Sequence, residues 1–145
     1  MSRAAALAFL DATYAEQFDA AGIVATDTGT TLGPVIDEAA LALGTDYGDL
    51  ATVAVANADV GTYRLALRYF GLSRILEAVR RSGTDITSPD AGIKRSQYIA
   101  TLREDLAGLA AQLSGYGVVV GPIGPTWQGP TTFNTDWIEP ERTWA

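Results

Sequence analysis

A chain of 145 residues with no cysteine and no histidine has no thiol nucleophile, no imidazole general base, no disulfide and no zinc site of the Cys/His type. This removes most common catalytic designs, and the candidates weighed among the remaining groups are carboxylates and a single lysine. Asp27-Thr28-Gly29, preceded by Ile23, Val24 and Ala25, places a carboxylate in a turn. A carboxylate pair that works as general acid and base must share a proton between two such groups. There is no second Asp-Thr-Gly in the chain, so only a homodimer would complete the pair, and a turn between helices accounts for these residue types equally well. Lys94 adjoins Arg95 and Ser96. At the helix start expected there, a cation meets a neighbouring carboxylate or phosphate more readily than it forms a Schiff base. The acidic residues of the first half lack the dense alternation of a calcium loop. We therefore expect no enzyme, no metal site and no cofactor.

These residues must be positioned by helices. Leu7, Leu10, Tyr14 and Phe18 recur at helical spacing and predict a first helix over residues 3–21, with Ser2 as its N-cap and Gly22 as its stop. Residues 23–31 read as a connector. A second helix is predicted from Gly33, with Pro34 in the first turn, where a missing N–H costs little, and Gly44 as its end. Residues 45–49 read as a turn. Residues 50–81 read as helical, though Asn57, Asp59 and Gly61 weaken the pattern and split it. In the second part of that stretch Leu65, Tyr69, Leu72, Leu76 and Val79 form a narrow apolar seam, with Arg64, Arg68 and Arg74 beside it. Residues 84–93 carry turn chemistry around Ser88-Pro89-Asp90. A last helix from residue 93 carries Tyr98, Leu102, Leu106, Leu109 and Leu113 and stops at Gly115 and Gly117. The expected fold is mainly α, a small helical bundle built on an antiparallel helical hairpin.

Beyond residue 117 the composition changes. Pro122, Pro125, Pro130 and Pro140 exclude a continuous helix, and all three tryptophans, Trp127, Trp137 and Trp144, lie there. We expect two parts, a helical domain over 1–117 and an extended non-helical C-terminal arm over 118–145. Large rigid side chains on such an arm suit docking onto a partner. Charge is divided as well. Residues 4–63 hold nine acidic and no basic groups, whereas residues 64–103 hold eight basic and three acidic ones. Such halves suit two surfaces that meet in an assembly, or pairing within one fold. No stretch is apolar enough to span a membrane, and the N-terminus lacks a signal-peptide pattern.

The stretch TYRLALRYFGLSRILEAVRRSGTDITSPDAGIKRSQYIATLREDLAGLAAQLSGYG, residues 62–117, resembles the core of the head-tail connector (adaptor) proteins of tailed bacteriophages. The likeness rests on helix-loop-helix order, the basic end of the first helix, and Lys94-Arg95-Ser96-Gln97 ahead of a leucine helix. GPVIDEAALALG is similar to that family's opening part. The resemblance implies a structural virion protein, made in the host cytoplasm and placed in the neck between capsid and tail. It implies a ring, usually of twelve copies, beneath the portal, with self, portal protein and a stopper or tail-terminator protein as partners, and DNA passing through without sequence recognition. It implies no membrane partner, cofactor or catalytic residue. On this reading Trp127, Phe133, Trp137 and Trp144 bind the portal or neighbouring subunits, and Arg64, Arg68, Lys94 and Arg95 make electrostatic contacts between subunits. Three alternatives stand beside it. One is a tail-completion or terminator protein of the neck. Another is a homodimeric aspartic protease, whose active-site triplet Asp27-Thr28-Gly29 resembles. The third is a helical nucleic-acid binder using Arg64, Arg68 and Arg95.

Overall fold

In the computed structural model, which describes residues 1–44, 50–82 and 95–120, Ser2 opens the first helix as expected. Its hydroxyl accepts the Ala5 N–H at 3.3 Å, satisfying one of the donors that every helix start leaves free. Helix α1 runs Arg3–Ala20 and buries Ala6, Leu10, Tyr14 and Phe18. It bends at Tyr14, whose backbone leaves the helical region. One residue earlier the Thr13 hydroxyl donates to the Phe9 carbonyl at 2.7 Å, a back-bond of the kind that bends helices. Gly22, at φ +72°, lets the Ile23 amide return to the Phe18 carbonyl at 2.8 Å and the Gly22 amide to Asp19 at 3.1 Å. The left-handed glycine thereby satisfies two end carbonyls.

Helix α2 (Gly33–Leu43) starts with Pro34 in its first turn and ends at Gly44, as the sequence predicts. Gly33 is required for a steric reason. A β-carbon there would stand 2.5 Å from the Thr28 carbonyl oxygen, so the 26–31 loop can fold against the helix start only where the side chain is a hydrogen.

The helix expected from residue 50 does not form over residues 50–56. Val53 and Val55 are buried while Ala54 between them is exposed, the two-residue period of an extended chain. The Val55 amide donates to the Met1 carbonyl at 2.7 Å, and Ser2 and Ala54 form an antiparallel bridge. β-Branched residues at alternate positions override the helical reading here. A 3₁₀ turn over Asn57–Asp59 leads into α3 (Val60–Ser82).

Helix α3 is the hub of the fold, in contact with α1, α2 and the last helix, α4 (Arg95–Gly115). Its seam is therefore wider than the sequence pattern implies. Tyr69, Leu72, Leu76 and Val79 are buried as predicted, Leu65 only partly, and Tyr63, Ala66, Leu67 and Ile75 are buried as well. A helix packed on several sides needs more than one apolar stripe. Gly71 allows α1 its close approach, since a β-carbon would lie 3.2 Å from Leu10 Cδ2 and 3.5 Å from Tyr14 Cδ2. The Tyr63 hydroxyl donates to the Ile36 carbonyl at 3.4 Å, joining α3 to α2.

Helix α4 buries the five residues its spacing predicts, Tyr98, Leu102, Leu106, Leu109 and Leu113. Arg95 at its start donates to the Val79 carbonyl near the end of α3 at 2.8 Å, while Tyr14 feels both Arg68 and Asp105 further along the two helices. Contacts in that order make α3 and α4 antiparallel. Gly117, at φ +79°, closes α4, and the Val118 amide returns to the Leu113 carbonyl at 3.0 Å. Val118 is buried and Val120 packs partly against the core, so the helical body reaches past residue 117. The tail beyond Val120, which carries Trp127, Phe133, Trp137 and Trp144, lies outside the described residues, as does Lys94.

Candidate functional site

The triplet at Asp27 is bound up in structure. Arg3 forks onto it, Nε to Oδ2 at 2.8 Å and Nη2 to Oδ1 at 2.6 Å, the two-pronged geometry that suits a guanidinium and a carboxylate. The Arg3 Nη1 also donates to the Asp37 carboxylate and to the Leu50 carbonyl. These hydrogen bonds hold the Asp27 carboxyl below the usual range and keep the guanidinium charged at any ordinary pH. A carboxylate engaged in this way is a poor proton carrier at neutral pH. Beside it the hydroxyls of Thr26, Thr28 and Thr31 bond to one another, with Thr31 Oγ1 2.7 Å from Thr28 Oγ1 and 2.9 Å from Thr26 Oγ1. The loop is held by its own side chains.

An open groove of about 460 Å³ lies over this cluster, lined by Arg3, Asp27, Thr28, Gly29, Gly33, Pro34, Asp37, Leu50 and Ala51. No group of three or more His, Cys, Asp or Glu side chains suited to a metal occurs among the described residues. Arg3 escapes sequence reasoning because its partners lie 24, 34 and 47 positions away. One signal was available: it is the only basic residue before Arg64, a lone cation among nine acids.

The arginines singled out for electrostatic contacts have partners inside the subunit. Arg64 is exposed but lies over the Phe9 ring, 5.5 Å from its centroid, a cation–π contact. Arg68 sits beside the Tyr14 hydroxyl, which burial pushes up in pKa and Arg68 draws back. Arg95 is half-buried; one terminal nitrogen donates to Val79, and its Nε has no hydrogen-bond partner among the described residues. Arg74 donates to the Thr30 carbonyl at 3.0 Å and stands 3.6 Å from Glu77, which also receives Arg81 at 2.8 Å. The ion pairs among the described residues thus link Arg3 to Asp27 and Asp37, and Glu77 to Arg74 and Arg81. None of these joins an acid of residues 4–63 to a base of residues 64–103. Asp11, Glu16 and Asp19 on α1, and Arg80 and Arg103 on α3 and α4, remain exposed.

The fold defines a mainly α protein whose described helices are arranged around α3. Comparison with known proteins returns no matching family model, no similar curated protein and no similar solved structure.

Proposed function

We propose that this chain is a structural protein of a tailed-phage virion, a head-tail connector (adaptor) that forms a ring beneath the portal and joins capsid to tail. The observation that carries this reading is the antiparallel α3–α4 hairpin. It occupies the stretch that resembles the connector core, with its five leucine-helix positions turned into the subunit. Two further features favour a part that is completed in an assembly. The outward face of α1 presents Ala4, Ala8, Ala12 and Ala15 with Asp11, Glu16 and Asp19, and α4 presents Ala107, Gly108 and Ala111, all exposed. Small side chains let a neighbouring helix approach closely. Opposite charges that form no ion pair with one another among the described residues favour contact between copies arranged head to tail, the geometry that closes a ring.

In this reading the segment after Val120, with Trp127, Phe133, Trp137 and Trp144, docks onto the portal or the next subunit. Its effective concentration rises once the ring is anchored. Arg64, Arg68, Lys94 and Arg95 remain proposed for contacts between subunits, with Arg68 and Arg95 also serving inside each one. The test is co-sedimentation of the full chain, and of a chain ending at Val120, with portal rings encoded in the same genome. The full chain is expected to bind and the shortened one to stay helical by circular dichroism without binding. A full chain that leaves the portal untouched overturns the proposal.

A further inference from the structure

Arg3 is where four separated pieces of chain meet. Its guanidinium forks onto Asp27 in the α1–α2 loop, reaches Asp37 in α2, and donates to the Leu50 carbonyl ahead of α3. The residues before it, Met1 and Ser2, pair with Val55 and Ala54. The contacts of Arg3 itself are charge and hydrogen bonds, with Val53 and Val55 buried beside them and Met1 and Leu50 packed partly on the core, whereas α3 is held to α1, α2 and α4 chiefly by buried apolar side chains. The groove opens directly onto it, and the Asp27 and Asp37 side chains are 30% and 35% exposed. Protons therefore reach both carboxylates without prior unfolding.

We propose that this joint is an acid-released clasp: protonation of Asp27 frees Arg3, and the N-terminal residues, the 26–31 loop and residues 50–55 open together while α3 and α4 stay packed. The inference stands independently of the connector reading. Among the described residues the titratable groups facing Arg3 are Asp27 from the loop, Asp37 from α2 and Tyr63 from α3. Tyr63 takes no part, because burial pushes its hydroxyl up to about 12. Asp27 is held below the ordinary carboxylate range, chiefly by its hydrogen bonds to Arg3. A group depressed in the folded state contributes stability above its unfolded value, lost as pH falls through the folded one. The clasp accordingly begins to weaken only once the pH has fallen below the ordinary carboxylate range, and opens as it passes the lower folded value of Asp27. Glu38 on α2 acts in the opposite sense. Its pKa is raised, chiefly by partial burial and then by the nearby Glu77 and Asp37, so its own contribution to stability grows as the pH falls.

Hydrogen exchange on the full chain, read as protection factors at about pH 7 and about pH 3, tests the proposal. Residues 1–5, 26–31 and 50–55 are expected to lose protection by about tenfold or more, with residues 98–113 of α4 unchanged. Asp27→Asn should abolish the acid step, and Arg3→Gln should open the same segments at neutral pH. Loss of protection in all helices together overturns the proposal. So does a clasp still protected at the lower pH, or an acid step that survives in Asp27→Asn.

Discussion

At Arg3 the balance of terms is set by exposure. Its side chain is 15% exposed, while the carboxylates it binds are about twice as open. Removing the guanidinium therefore leaves two anions that can rehydrate, and the cost falls below that of breaking a fully buried pair. Arg3→Met is expected to lower stability by about 2 kcal/mol, read from the midpoint of urea unfolding at unchanged slope. Glycines give a sharper contrast, because the same substitution should have opposite signs at two helical positions. Gly108 lies on the exposed side of α4, and a methyl group added there would have nothing within 4 Å of it. Gly108→Ala should stabilise by roughly 0.5–1 kcal/mol through helix propensity alone. At Gly71 the new methyl would press on Leu10, which is completely buried. Crowding a packed core costs about 1–3 kcal/mol, more than the propensity gain, so Gly71→Ala should lower the melting temperature.

At the scale of elements, the ends of helices are set by glycine and by the residue that follows the cap. In α1 and α4 alike a left-handed glycine, Gly22 or Gly117, is followed by an apolar residue whose amide returns to the last turn. Gly117→Ala should cost about 1 kcal/mol, the penalty of a β-carbon in that conformation. A chain ending at Gly117 should be less stable than one ending at Val120 by about 1–3 kcal/mol, since it also loses the burial of Val118. Thermal melts of the two truncated chains measure that difference. These caps were legible in the sequence because they are local, and so was α4, whose five apolar positions face a single neighbour. The second apolar face of α3 was not, because it exists only when α1, α2 and α4 surround the helix. Residues 50–56 misled for a related reason: their pairing partner is the chain start, more than fifty positions away. The Arg3 cluster was hidden in the same way, its parts scattered over residues 3–50 and brought together only by packing.

For the whole molecule the decisive quantity is the charge left over after folding. Its net charge is −7, yet the acidic side chains of α1 and the exposed arginines Arg80 and Arg103 do not meet within the subunit. Simple self-repulsion of an acidic protein predicts that added salt screens the repulsion and promotes association. Complementary faces on successive copies predict the reverse, because salt then screens the attraction that brings them into register. The Debye length contracts from about 30 Å to about 3 Å between 0.01 and 1 M ionic strength, so the two cases separate clearly over that range. If the ring reading holds, sedimentation velocity of the full chain should find larger species at low salt that dissociate as salt is raised. Arg103→Glu should weaken assembly at low salt while leaving the helical signal intact, because Arg103 is exposed and in no ion pair among the described residues. Association that strengthens with salt in both chains would instead point to apolar contacts working against the self-repulsion of an acidic protein and remove complementary charge from the account of assembly.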